Sequence, residues 1–212
     1  METVAIIPAY NEEKTIGEVL TILRDSHIID EIVVVSDGST DRTVEVARHY
    51  GACVIELEET VGKGGAMKAG LDEITARAIL FLDADLIGLS HQHIEKLLMP
   101  VILNQADMTV GIFDKGRVAT DFAQKVAPYL SGQRAVHREV LNRISDLDMS
   151  RFGVEVALNR HIEKNNIRVQ EVILEDLSHV MKEEKFGVFK GFAARMKMYW
   201  EIVKYFAKSE VK

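Results

Sequence analysis

The stretch Phe81-Leu82-Asp83-Ala84-Asp85 brings two carboxylates, two residues apart, to the end of an apolar run. In extended backbone successive side chains alternate, so Asp83 and Asp85 project to the same side. Two hard oxygen donors in that arrangement suit Mg²⁺ or Mn²⁺, which binds one or two protein carboxylates together with substrate phosphates. Alone, Asp-x-Asp is equally at home in a solvated loop. A second feature is Gly62-Lys63-Gly64-Gly65, a lysine among small residues whose backbone can donate to phosphate. It lacks the first glycine and the Lys-Ser/Thr pair of a P-loop, and no Gly-x-Gly-x-x-Gly follows the first apolar run. Nucleotidase and dehydrogenase readings are therefore disfavoured. His91 and His93 do not share a helical face, and Cys53, beside Ala52 and Val54, reads as a buried small apolar residue without a triad partner.

The elements that must carry these residues alternate in type. Thr3 to Ile7 is β-rich and meets Pro8; Asn11 is expected to cap a helix with Glu12 and Glu13 in its first turn and Ile16, Val19, Leu20 and Leu23 along one face. Glu31 to Ser36 carries Ile-Val-Val-Val, the continuous run of a strand covered on both faces. Asp37-Gly38-Ser39-Thr40-Asp41 turns into a helix through Tyr50, Ala52 to Leu57 is a third strand, and a helix runs from the Gly62 stretch to Ile74. A fourth strand spans Ala78 to Leu82, Ser90 caps a helix to Leu103, and Asp107 to Gly111 is a fifth strand. This pattern implies a mostly parallel sheet with helices on both faces. Right-handed crossovers then bring the turns at Ala9–Glu12, Asp37–Asp41 and Asp83–Asp85 to one edge, where open α/β sheets bind ligands.

Composition agrees with a folded α/β body. The 212 residues are 47% hydrophobic and 28% charged, with 3 Pro, which excludes disordered and collagen-like classes. One cysteine excludes a disulfide framework and fits a reducing, cytoplasmic setting. The net charge of −7 argues against nucleic acid as a partner. Residues 181–212 nevertheless hold eight Lys/Arg against four Asp/Glu, a net of +4 that leaves −11 on the rest. There Phe189, Phe192, Met196, Tyr199, Val203 and Phe206 recur at helical spacing. Such a basic amphipathic C-terminal helix at 189–212 suits core packing, a homodimer seam or peripheral contact with the inner face of a membrane. No apolar run is long enough for a transmembrane helix or a secretory signal.

Four fragments stand in fixed order: Ile6-Ile7-Pro8-Ala9-Tyr10-Asn11-Glu12-Glu13, Val34-Val35-Ser36-Asp37-Gly38-Ser39-Thr40-Asp41, Gly62-Lys63-Gly64-Gly65-Ala66 and Asp83-Ala84-Asp85. In these the chain resembles the family 2 glycosyltransferases of the GT-A fold, over roughly residues 3–112. The resemblance implies a single GT-A domain over 1–212, with a nucleotide-sugar half at 1–112, an acceptor half at 113–188 and the C-terminal helix beyond. It implies a nucleoside diphosphate sugar donor, a UDP- or GDP-sugar. Pro8, Ala9, Tyr10 and Glu12 would lie by the nucleoside, Asp37 at the base and Lys63 near base or diphosphate. Asp83, Ala84 and Asp85 would meet ribose and a Mg²⁺ or Mn²⁺ ion on the diphosphate.

In the second half, Ser131-Gly132-Gln133-Arg134-Ala135 and Phe152-Gly153-Val154-Glu155-Val156 resemble stretches of polyprenyl-phosphate sugar transferases and of glucosyl-3-phosphoglycerate synthases. That resemblance implies a phosphate-bearing acceptor, small or lipid-linked, with Gly132 and Arg134 beside it. A late histidine completes the metal shell in the phosphoglycerate group, which makes His179 the candidate third ligand. Glu155 is the candidate base for an acceptor hydroxyl, although an acceptor phosphate is already ionised and needs none. Family 2 implies inversion, the phosphoglycerate group retention, and both stay open at this point. The rivals are a nucleotidyltransferase forming the sugar nucleotide, whose Gly-rich basic loop is missing after the first strand, and a non-catalytic sugar-nucleotide binding module.

Overall fold

The computed structural model describes residues 2–113, 131–143, 158 and 165–179. In chain order the elements are β1 (Thr3–Ala9), α1 (Ile16–Arg24), β2 (Glu31–Asp37), α2 (Thr43–His49), β3 (Cys53–Leu57), α3 (Lys63–Glu73), β4 (Ala78–Phe81), β5 (Leu86–Ile87), α4 (His91–Ile102), β6 (Met108–Phe113), β7 (Arg134–His137), α5 (Arg138–Asn142), β8 (Val169–Leu174) and β9 (Ser178–His179). Seven strands form one sheet in the order β3-β2-β1-β4-β7-β6-β8, and β5 pairs with β9. The pairings β1/β2, β1/β4, β2/β3 and β6/β8 are parallel, whereas β7 runs antiparallel to both β4 and β6.

The alternation of β1 explains why its apolar run is continuous. Ala5 and Ile7 join one buried layer with Ile16, Leu20, Ala47, Ile94 and Leu97 of α1, α2 and α4. Val4 and Ile6 join the other with Ala66, Met67 and Leu71 of α3 and Val140 of α5. Both faces of the strand are dry, and burying each Leu, Ile or Val side chain contributes roughly 1.5–3 kcal/mol.

Two local readings are corrected. Asn11 does not cap α1, which begins at Ile16 with Thr15 as its boundary residue. Instead Asn11 takes a left-handed φ of 55°, and its Oδ1 accepts from the Thr40 N–H at 2.8 Å. Asn adopts this conformation more readily than most residues because its short amide bonds locally. Cys53 is exposed, not buried, because β3 is the edge strand of the sheet.

The chain divides into two compact units, Met1–Ser178 and His179–Lys212. Of the second, only His179 is described, as the last residue of β9. The expected helix at 189–212 and the candidate base Glu155 lie outside the described residues. No helix among the described residues is long and apolar enough to cross a membrane.

Candidate active site

The two-residue period continues past the end of β4. Leu82, Ala84 and Leu86 are buried in the layer beneath α1 and α4, while Asp83 and Asp85 face away from it and are half-buried. β4 itself ends at Phe81 and the chain turns at Ala84 and Asp85, and this turn keeps both carboxylates on the side away from the buried layer. His179 reaches the same side because β9 pairs with β5, which follows Asp85 directly. That approach is tight. Gly88 has φ 84°, and a Cβ there would meet the Asp176 carbonyl oxygen at 2.5 Å, so only glycine fits. One donor atom from each of Asp83, Asp85 and His179 lies within 4.8 Å of the others. Two carboxylates and an imidazole match the ligand preferences of Mn²⁺ and are acceptable to Mg²⁺.

Asp83 is held on both oxygens. Lys63 Nζ lies 2.6 Å from Oδ1, and Gln133 Nε2 donates to Oδ2 at 2.9 Å. Gln133 is fully buried, and its Oε1 accepts from the Ser131 hydroxyl at 3.2 Å. Gly132 has its Cα against this pair: a Cβ would come 2.4 Å from Lys63 Nζ and 2.8 Å from each Asp83 oxygen. The antiparallel register Phe81↔Arg134 explains the meeting, since it sets the start of β7 beside the end of β4.

Lys63 opens α3, and Asp37 positions the loop before it. The Val61 and Gly62 N–H groups donate to Asp37 Oδ1 and Oδ2 at 2.7 and 2.9 Å, and the Thr60 hydroxyl donates to the Asp37 carbonyl. Gly62 needs its left-handed φ of 85° to turn these groups inward.

The first two β–α loops are laced together beside this centre. The Asn11, Glu12 and Glu13 N–H groups donate to the side chains of Ser39, Thr43 and Asp41. In return the Thr40 and Arg42 N–H groups donate to Asn11 and Glu13. Burial alone would raise the Asp41 pKa, but hydrogen bonds from the Thr43 hydroxyl, then the Thr43 and Glu13 N–H groups, lower it below the ordinary value. Further off, His93 is buried at the start of α4, and burial holds its pKa below the ordinary 6.5 against the opposing Glu175 backbone.

Asp83, Asp85, His179, Lys63 and Gly132 come together. Pro8, Ala9, Tyr10, Glu12 and Asp37 lie along the end of β1 and β2, with Tyr10 46% exposed at the rim. Ala84 and Ala9 are buried as whole residues and present almost no surface of their own. Arg134 is only 1% exposed, and its Nε donates to the Ser131 carbonyl at 2.8 Å. It braces the turn carrying Gly132 and Gln133 instead of presenting a guanidinium at the surface. Gln133 was missed: an uncharged amide between Gly132 and Arg134 carries no signal until its partner Asp83 is seen.

Residues 4–163 match the profile of Glycosyl transferase family 2, more than half of the chain. The chain belongs to this family. The nucleotidyltransferase and binding-module alternatives are set aside with that membership. An uncharacterised protein of Methanocaldococcus jannaschii is 30% identical over 93% of this chain and 90% of its own length. The 4,4'-diaponeurosporenoate glycosyltransferase of Staphylococcus aureus is 38% identical over 44% of this chain but only 26% of its own length. Among solved structures, glucosyl-3-phosphoglycerate synthase from Mycobacterium tuberculosis, in complex with Mn²⁺, UDP and glucosyl-3-phosphoglycerate, is 27% identical with a TM-score of 0.71. That match covers 84% of this chain and 72% of the synthase. The same synthase with Mg²⁺ and UDP matches at 26% identity with a TM-score of 0.71, covering 84% of this chain and 71% of its own. The mostly parallel sheet with helices on both faces is the GT-A-like α/β fold of these neighbours.

Proposed function

We propose that this family 2 glycosyltransferase is metal-dependent and moves a hexose from a UDP- or GDP-sugar to a phosphate-bearing acceptor, such as 3-phosphoglycerate or a polyprenyl phosphate. The observation that carries the reading is the convergence of Asp83, Asp85 and His179 donor atoms within 4.8 Å, with Lys63 on Asp83. UDP and Mn²⁺ or Mg²⁺ in the neighbouring synthase favour a uridine donor and either ion. The phosphoglycerate found in that synthase favours a phosphate on the acceptor.

In this reading Asp83, Asp85 and His179 hold the cation, which when bound supplies Lewis-acid stabilisation to the departing diphosphate. Lys63 donates to the diphosphate oxygens, and its loop is fixed by Asp37, whose remaining lone pairs serve a base N–H. Tyr10 and the backbone from Pro8 to Glu12, with Ala84, line the nucleoside side. Gly132 leaves room for the acceptor phosphate next to the ion pair, over the brace formed by Arg134. Glu155 takes the proton when the acceptor is a hydroxyl. The whole stretch 1–212 acts as one catalytic domain in the cytoplasm. Its basic segment 189–212 serves a homodimer seam before any membrane surface.

The test is calorimetric titration of UDP and GDP into the protein with and without Mn²⁺, then transfer from the preferred donor to 3-phosphoglycerate and to a polyprenyl phosphate. Mn²⁺-dependent binding of one nucleotide, abolished in Asp85→Ala, is expected. Nucleotide binding that ignores both Mn²⁺ and Asp85→Ala overturns the metal role.

A further inference from the structure

We infer that Lys63 is an internal counterion that occupies the metal carboxylate until a diphosphate draws it away, so that nucleotide and cation binding are coupled through one side chain. The inference rests on the reading of Asp83, Asp85 and His179 as the metal site.

Three observations carry it. The Lys63 ammonium lies 2.6 Å from Asp83 Oδ1, one of the carboxylates of the three-donor cluster. A divalent ion sharing that carboxylate stands beside a fixed positive charge, and the two repel. The other oxygen is engaged by Gln133, and the Cα of Gly132 closes off the flank, so Asp83 cannot turn away while keeping Gln133. Relief therefore comes from movement of the lysine.

The third observation is where the ammonium sits. Lys63 is the first residue of α3, and no acidic residue stands in that helix's first turn. The exposed N–H groups of a helix N-terminus disfavour a cation and favour an anion. An acidic partner, Asp83, holds the charge there. The Lys63 side chain is one-third exposed, and a lysine carries its charge on a flexible four-carbon stem. A diphosphate arriving at the start of α3 offers more negative charge than one carboxylate and is itself favoured by the helix end. Lys63 then exchanges Asp83 for phosphate oxygens, and Asp83 is left to the incoming cation.

The experiment titrates Mn²⁺ alone into the full chain, followed by electron paramagnetic resonance of free Mn²⁺, for the wild type, Lys63→Met and Lys63→Arg. A second series repeats this in saturating UDP. Without nucleotide, Lys63→Met is expected to bind Mn²⁺ roughly tenfold more tightly than the wild type, within the 5- to 150-fold range usual for coupled sites. Lys63→Arg keeps the cation and stays near the wild type. UDP tightens Mn²⁺ binding in all three, because phosphate oxygens also coordinate the ion, but by a smaller factor in Lys63→Met. Affinity for Mn²⁺ alone that is unchanged, undetectable or weaker in Lys63→Met overturns the inference. Absence of Mn²⁺ binding to the wild type even with UDP overturns instead the metal-site reading on which it rests.

Discussion

Gly132→Ala isolates the geometry of the centre from the stability of the fold. The added methyl would stand 2.4 Å from Lys63 Nζ and 2.8 Å from both Asp83 oxygens, well inside contact distance. The lysine end is the flexible partner and is expected to retreat by about 1 Å, and the Asp83 carboxylate must shift as well, at the expense of its bond from Gln133. At an effective dielectric of about 20, lengthening a 2.6 Å ion pair by that amount weakens it by roughly 1–2 kcal/mol, an upper figure because both side chains are partly exposed. Catalysis is more sensitive, since a misplacement of about 1 Å costs on the order of 100-fold. Folding should hardly notice. Replacing glycine by alanine removes unfolded-state freedom worth ~0.4–1 kcal/mol, which opposes the local clash. The expected result is a kcat/KM lower by about two orders of magnitude, weaker nucleotide binding in Mn²⁺, and a thermal midpoint close to that of the wild type. Wild-type turnover in a folded Gly132→Ala protein would show that chemistry does not use the Lys63–Asp83–Gly132 arrangement. A collapsed midpoint would assign Gly132 to folding.

Asp37→Ala strips two acceptors from the Val61 and Gly62 N–H groups, a cost of roughly 1–3 kcal/mol for each group left unpaired. Denaturant midpoints should fall and UDP affinity should fall further than stability predicts; unchanged affinity refutes the loop-setting role. Gly88→Ala must displace the Asp176 carbonyl, so β9 shifts and Mn²⁺ affinity in the presence of UDP drops about tenfold or more while the main sheet keeps its hydrogen-exchange protection. Equal Mn²⁺ affinity would detach the β5/β9 contact from the site. The buried His93 has a folded pKa below its ordinary 6.5, so the unfolded state binds the proton first as pH falls. The His93 contribution is constant well above its ordinary value and declines from near 6.5 down to the lowered value, where the loss levels off. Melting across that range, with His93→Gln as reference, should show a shallower decline in the variant; parallel curves refute the assignment.

How far the site could be read from sequence depended on how locally each residue's role is set. Asp83 and Asp85 were legible as a pair because they follow an apolar strand directly, but the extended geometry does not persist: the chain turns at Ala84 and Asp85, and the burial of Leu82 and Ala84 keeps the two acids on the outer side. Lys63 was legible from its small-residue setting, and Asp37 from the turn it begins. The loop that joins them was not, because Asp37 bonds backbone groups 24 and 25 residues away. Asn11 fails for the same reason. As a cap it would have served its own helix, but the Thr40 N–H, 29 residues off, offers its amide a partner that no local pattern reports. His179 was reached through family resemblance alone, since its place is set by the two-residue strands β5 and β9, too short to leave a periodic signal.

The deepest omission, Gln133, has a topological cause. A purely parallel continuation would have brought the beginning of the next strand to the edge opposite the acid-bearing turns. Because β7 enters antiparallel between β4 and β6, its start arrives at the same edge as the end of β4. That reversal is what puts the Gly132 backbone and the Gln133 amide on Asp83, and what buries Arg134 beneath them. The carboxylate that would grip the cation thus joins two halves of the sheet. The parallel half supplies it and Lys63, while the reversed strand fixes its second oxygen. A substitution at Gln133 should therefore report on the metal although the amide itself is no ligand. Gln133→Leu, which removes the donor at similar volume, should weaken Mn²⁺ binding in UDP by several-fold and leave the affinity for UDP without metal unchanged. Loss of metal-free UDP binding in that variant would instead tie Gln133 to the nucleotide and break the proposed division of labour.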